Sequence, residues 1–406
     1  MTRKSCRICG LDEATVGKIY EIYGVGVCEV CARAVREVMT ESERSQQRPR
    51  NPAPRDMSPS EVKARLDEYV VGQERAKRIL AVAAYNHYKR IRSRVDVDDV
   101  ELDKSNILLI GPTGSGKTLL ARTLARVLDV PLAISDATTL TETGYVGEDV
   151  ESVLAALVPA AQGKIGTASR GIVYIDEIDK IARREVGSNI TRDVSGEGVQ
   201  QGLLRLLEGT VVGLPREGRR GAQQETIPFD TRDVLFICGG AFVGLEQLVG
   251  ARVGAAGLGF SAPLRGRAEI SDLLVAVQPS DLIKFGMIPE FVGRLPVIAT
   301  LAELGEEELV RILLEPKNAL VRQYQKLFHM DDVNLKFTKE ALREIARLAN
   351  ERKTGARGLR AVVEEIVLDA MYAVPGREYA ECVITEDAVR GKAKPKLVPK
   401  GQVMAA

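Results

Sequence analysis

Asn106-Ile107-Leu108-Leu109-Ile110, followed by Gly111-Pro112-Thr113-Gly114-Ser115-Gly116-Lys117-Thr118, decides how this chain folds. The first five residues are a short, almost continuous apolar run ending at a glycine, the pattern of a buried parallel strand. The next eight follow the P-loop pattern, and Leu119 to Leu128 continues at helical spacing. Glycines let the loop backbone turn its N–H groups toward phosphates, and the N-terminus of the following helix adds a positive dipole. Lys117 then sets an ammonium on the β- and γ-phosphates, and the Thr118 hydroxyl can ligate Mg²⁺. ATP and Mg²⁺ are the implied ligands, held by Gly111 through Thr118 with Leu119 beside them. A chance glycine-rich turn would not match every position between a strand and a helix.

Further along, Gly171-Ile172-Val173-Tyr174-Ile175 and Asp233-Val234-Leu235-Phe236-Ile237 read as two more buried strands. Strands alternating with helices indicate an α/β domain built on a doubly wound parallel sheet, placed at residues 62–300. The strand ending at Ile175 delivers Asp176 and Glu177 to the sheet edge. There Asp176 can support the Mg²⁺ that Thr118 touches, and Glu177 can orient and deprotonate the attacking water. An acidic pair after a strand also suits a helix N-terminus, and the P-loop upstream is what favours the catalytic reading. Beyond Leu301 the apolar residues Leu309, Ile312, Leu313, Leu342, Ile345 and Leu348 recur at helical intervals. A small, mainly helical C-terminal domain is expected at 301–395, with a loose Lys- and Pro-rich tail from about Gly391, taken as 396–406.

The N-terminal residues 1–42 carry Cys6-x2-Cys9-x18-Cys28-x2-Cys31, the spacing of a structural metal site. Four thiolates close a tetrahedral shell and leave no position for water, so Zn²⁺ would be structural here. Disulfides and an iron–sulfur centre are the other readings of the same spacing. Cys238 and Cys382 read as core residues. Between this unit and the α/β domain, residues 43–61 read as a linker, with Pro49, Pro52, Pro54 and Pro59 among polar residues.

Several further segments stand out. Gly144-Tyr145-Val146-Gly147 holds bulky residues between glycines, either as a gripping loop or as a turn whose ring folds into the core. Arg294, after Gly293, and Arg357, between Ala356 and Gly358, are arginines beside small residues. By spacing alone the ordinary surface arginine is the favoured reading of both. Together with Phe285 to Phe291, the P-loop and Ile172 to Lys180, in this order and behind a four-cysteine unit, these segments resemble the ClpX family of AAA+ unfoldases over nearly the whole chain. The resemblance implies an AAA+ P-loop fold and a homohexameric ring that pulls polypeptides through a central pore by ATP hydrolysis. It also implies handover of unfolded or tagged substrates to a ClpP-type peptidase, with adaptors bound by the zinc unit. It assigns Arg294 as an arginine finger reaching a neighbouring subunit and Arg357 as a contact to the subunit's own nucleotide. Val70 and Val71 fall in the segment that holds adenine. Tyr145 and Val146 become the pore loop, Arg192 belongs to a second pore loop, and Arg219 and Arg220 stand at the pore entrance. The family usually has Arg-Lys-His at that entrance, and the imidazole is absent here, which leaves tag preference open. Leu258-Gly259-Phe260 matches the peptidase-docking loop, with Leu where Ile is usual. The related HslU unfoldases lack a four-cysteine domain.

Composition bounds the alternatives. The 406 residues are 45% hydrophobic and 28% charged, which supplies cores for more than one domain. Net charge is +1 and aromatics are 4%, so neither nucleic acid nor an acidic membrane is drawn by bulk electrostatics. That counts against a zinc-finger AAA+ ATPase remodelling nucleic-acid complexes. The intact Lys117, Asp176, Glu177 and Arg294 count against a non-enzymatic adaptor. No apolar run long enough to span a bilayer and no signal-peptide core occur, so a reducing cytoplasm is expected.

Overall fold

Ile107–Ile110 (β1) is a strand whose four residues are all buried, because the sheet around it is covered on both faces. The computed structural model describes residues 5–16, 18–22, 25–33, 57–93, 102–141, 148–183, 196–215, 226–255, 273–352, 354–375 and 378–400. The chain divides into two compact units at Ala53/Pro54.

In the second unit, β1 joins Leu132–Asp136 (β2), Ile172–Asp176 (β3), Leu235–Gly240 (β4) and Val297–Thr300 (β5) in a five-stranded sheet ordered β5-β1-β4-β3-β2. Every pairing is parallel. Side chains alternate between two cores, as strand periodicity dictates. Ile107, Leu109, Ile172, Tyr174, Leu235 and Ile237 enter one core, shared with helices Pro59–Asp67 (α1), Glu74–Ser93 (α2) and Lys117–Leu128 (α3). Leu108, Ile110, Val173, Ile175, Phe236 and Cys238 enter the other, which includes Val199 and Leu203 of helix Gly196–Glu208 (α4). The strand expected over Gly171–Ile175 runs one residue further, to Asp176, and the one expected over Asp233–Ile237 is shifted to Leu235–Gly240.

Two boundaries differ from the sequence reading. The last residues of the stretch read as linker, Pro59 to Glu61, are the first turn of α1. Ser58 caps that helix in a capping box with Glu61, and Pro59 sits where its missing N–H costs nothing. At the other end, Lys396–Pro399, read as loose tail, is a strand. Its Val398 is buried against the preceding strand and Leu397 packs on the adjoining core, but two apolar residues among Lys and Pro are too few to mark a strand in the sequence.

After β5 come helices Glu306–Leu314 (α5), Leu320–His329 (α6), Lys339–Glu351 (α7) and Ala356–Ala373 (α8), whose apolar faces close a core of their own. A three-stranded sheet completes this part: Asn334–Phe337 (β6) parallel to Tyr379–Ile384 (β7), which pairs antiparallel with Lys396–Pro399 (β8). Cys382 is buried here and Cys238 in the main sheet, both as core residues. The first unit holds a four-residue helix, Glu13–Val16, and a hairpin pairing Ile19–Ile22 with Val25–Cys28. Among the described residues, no helix is long and apolar enough to cross a membrane.

Candidate nucleotide site and cysteine centre

The carboxyl ends of β1, β3 and β4 meet at one edge of the sheet, where open parallel sheets place their ligands. β1 runs out at Ile110, and Gly114 and Gly116 turn the loop with φ of +80° and +102°. Gly114 has a second constraint: a Cβ there would stand 2.5 Å from the carbonyl oxygen of Thr354. The loop is therefore pressed against the turn that starts α8, and the Ala356 N–H donates to the Gly114 carbonyl at 3.4 Å.

Lys117 opens α3 and is buried. Its Nζ donates to the carbonyls of Gly111 (2.6 Å) and Pro112 (3.0 Å), closing the loop on itself. Burial holds this ammonium below the ordinary lysine range, with Asp176 and Asp179 pulling the other way. One residue on, the Thr118 hydroxyl donates to Asp176 Oδ2 at 2.9 Å. Glu177 adopts a left-handed backbone, φ 55°, which turns its N–H back onto Asp176 Oδ1 at 3.0 Å. A non-glycine residue in that conformation costs roughly 1–3 kcal/mol and is held by its surroundings.

These groups line a cleft of about 570 Å³ that also takes in Thr113, Leu119 and Arg357. Arg357 reaches it from the first turn of α8. A triphosphate and its divalent cation fit the residues present. The loop glycines and the α3 N-terminus face the cleft, Thr118 and Asp176 offer hard oxygens, and the buried Ser115 Oγ has no hydrogen-bond partner among the described residues.

Val70 and Val71 are buried at the end of the α1–α2 turn. The residue that ties this turn to the loop is Gln73, passed over in the sequence. Its Nε2 donates to the Ser115 carbonyl (3.3 Å) and to the Ala302 carbonyl (2.9 Å), while its Oε1 accepts from the Ala302 N–H (2.9 Å). Asp179 and Arg122 also line the cleft and were not singled out; no local pattern marks them. Arg294 is not among the residues lining the cleft and pairs with Glu208 at 2.9 Å on the surface. Tyr145, Val146, Arg192, Arg219, Arg220, Leu258, Gly259 and Phe260 lie outside the described residues.

In the first unit the Sγ atoms of Cys6, Cys9, Cys28 and Cys31 all lie within 4.8 Å of one another, with Cys9 and Cys28 at 3.9 Å. A tetrahedral zinc with bonds near 2.3 Å spaces its sulfurs at about 3.8 Å. The Cys9–Cys28 separation is far too long for a disulfide. Backbone N–H groups of Cys9, Cys28 and Ile8 draw the Cys6 thiol down to about 6, whereas the hydrogen bond with Cys28 and burial push Cys31 up to about 12. Cys6 is thus ready as a thiolate ligand, and a soft dication would supply the charge that lets Cys31 ionise. Elemental analysis should find one zinc per chain, lost in Cys9→Ser; iron in its place would contradict the assignment.

Two family models match the second unit. Residues 102–298 match the AAA domain (Cdc48 subfamily), and residues 304–379 match the C-terminal, D2-small domain, of ClpB protein. The first match spans the P-loop, Asp176, Glu177 and Arg294; the second spans Arg357.

Proposed function

We propose that this chain, an ATPase whose residues 102–298 match the AAA domain and whose residues 304–379 match the ClpB D2-small domain, is a Clp/Hsp100-type unfoldase of the ClpX kind, coupling ATP hydrolysis to unfolding and threading of proteins. AAA+ ATPases generally oligomerise, and the oligomer proposed is a homohexamer delivering substrates to a ClpP-type peptidase in the cytoplasm. The observation that carries the reading is the contact between Gly114 in the phosphate loop and Thr354–Gly355 at the start of α8. A loop that must shift to follow phosphate chemistry there pushes directly on the C-terminal helical part. That is the mechanical link a translocating ATPase needs.

Bound Mg²⁺ would supply positive charge to the phosphates, held by Thr118 with Asp176 in support. Lys117 binds and orients the phosphates, and Arg357 reaches the same cleft from α8. Glu177 stands at the cleft, its backbone anchored on Asp176, and its carboxylate takes a proton from the attacking water. Arg294, in this reading, exchanges Glu208 for a neighbouring subunit's phosphate, adding charge where it develops. The four-cysteine unit binds zinc and serves adaptors or substrates. Tyr145 and Val146 grip the translocated chain, Arg192, Arg219 and Arg220 contact it along the pore, and Leu258-Gly259-Phe260 docks the peptidase.

Tyr145→Ala tests this reading. ATP hydrolysis should persist while unfolding of a stable tagged substrate slows by about tenfold or more, since each lost ring removes roughly 1.5–3 kcal/mol of apolar contact. A melting temperature lowered in step with all activities would instead mark a core tyrosine, whose loss costs roughly 3–5 kcal/mol.

A further inference from the structure

Tyr174 precedes Asp176 by two residues on β3, so both side chains leave the strand on the same face. Its ring is fully buried among Ile107, Leu109 and Ile237 in the core beneath the nucleotide cleft. Phenylalanine would fill that space as well. The hydroxyl is what needs explaining, since a buried phenol requires an acceptor. It donates to Asp176 Oδ1 at 3.0 Å.

The same oxygen accepts the Glu177 N–H at 3.0 Å, while Oδ2 accepts the Thr118 hydroxyl at 2.9 Å. The two oxygens of Asp176 therefore have separate duties. Oδ1 is tied to the protein from two sides, and Oδ2 faces the P-loop threonine. Room for this arrangement is built into the neighbouring strand. Ile237 pairs with Tyr174, which sets Gly239 beside Asp176, and a Cβ on Gly239 would stand 2.2 Å from the Tyr174 hydroxyl.

We propose that Tyr174 is a positioning residue for the divalent cation, its hydroxyl locking the Asp176 carboxylate so that Oδ2 is presented beside Thr118. This deepens the reading of Asp176 as the cation's support and rests on it. With the ring kept and the hydroxyl removed, Asp176 retains the Glu177 N–H but can rotate about its side chain. The cation then has to order the carboxylate itself.

The test compares the full chain with Tyr174→Phe and Asp176→Asn. It uses a fluorescent, slowly hydrolysed ATP analogue titrated with MgCl₂, the same analogue in EDTA, and thermal melting. Tyr174→Phe should melt close to the unaltered chain and bind the analogue in EDTA with unchanged affinity. Its Mg²⁺ midpoint should rise by about tenfold, the scale of one hydrogen bond to a charged group, with binding restored at high Mg²⁺. An unshifted Mg²⁺ midpoint in Tyr174→Phe, with a shifted one in Asp176→Asn, overturns the role of Tyr174 alone. If neither variant shifts, the assignment of Asp176 itself fails. Equal weakening with and without Mg²⁺, or a sharply lowered melting temperature, makes Tyr174 a packing residue and also overturns the proposal.

Discussion

Glu177→Gln is expected to bind ATP like the unaltered chain and to hydrolyse it about 10²–10⁴-fold more slowly, the range contributed by a positioned general base. The substitution keeps the shape of the side chain and removes its ability to take a proton. Nothing else in the site should move. The bond that anchors this residue runs from its backbone N–H to Asp176 Oδ1 and does not involve the carboxylate. The left-handed φ of 55° is likewise a backbone property and tolerates Gln as it does Glu. Single-turnover hydrolysis beside equilibrium binding separates the two effects. A variant that hydrolyses at the original rate would remove Glu177 from the role of base.

Lys117→Ala should lose nucleotide binding itself, by about two orders of magnitude or more. Its Nζ is buried and placed by the carbonyls of Gly111 and Pro112, so the ammonium sits inside the loop that wraps the phosphates. Truncation removes charge-assisted hydrogen bonds of roughly 1.5–3 kcal/mol each and leaves the two carbonyls without that donor. Titration with a fluorescent ATP analogue measures the loss, and melting of the empty chain controls for damage to the loop. Binding within a few-fold of the original would mean that the loop does not hold the phosphates through Lys117.

The strand, loop and helix of the candidate nucleotide site were legible because their signals are local. A strand, a glycine turn and a helix start lie within a dozen residues, and the spacing of Gly111 to Thr118 is enough to propose a phosphate cradle there. The strand ending at Asp176 was legible for the same reason. What the sequence hid are contacts between distant positions. Gln73 reaches Ser115 and Ala302 across the fold, and nothing near Gln73 announces either partner. Tyr174 looked like one more apolar strand residue, since its acceptor is visible only once the strand pleat and Gly239 are in place. The strand Lys396–Pro399 has too few apolar residues to be recognised without Tyr379–Ile384 beside it. Arg294 and Arg357 carry the same local signal. Only the fold separates them, with Arg357 at the subunit's own cleft and Arg294 paired with Glu208.

The central claim is that ATP hydrolysis at this site does mechanical work on other proteins. The most direct measurement follows the loss of native fluorescence of a stably folded, peptide-tagged substrate, at saturating ATP and with a trap that prevents refolding. The account predicts that the unaltered chain abolishes the fluorescence in an ATP-dependent manner, and that Glu177→Gln with ATP does not. Steady ATP hydrolysis by the unaltered chain with the fluorescence of every tagged substrate untouched would contradict it.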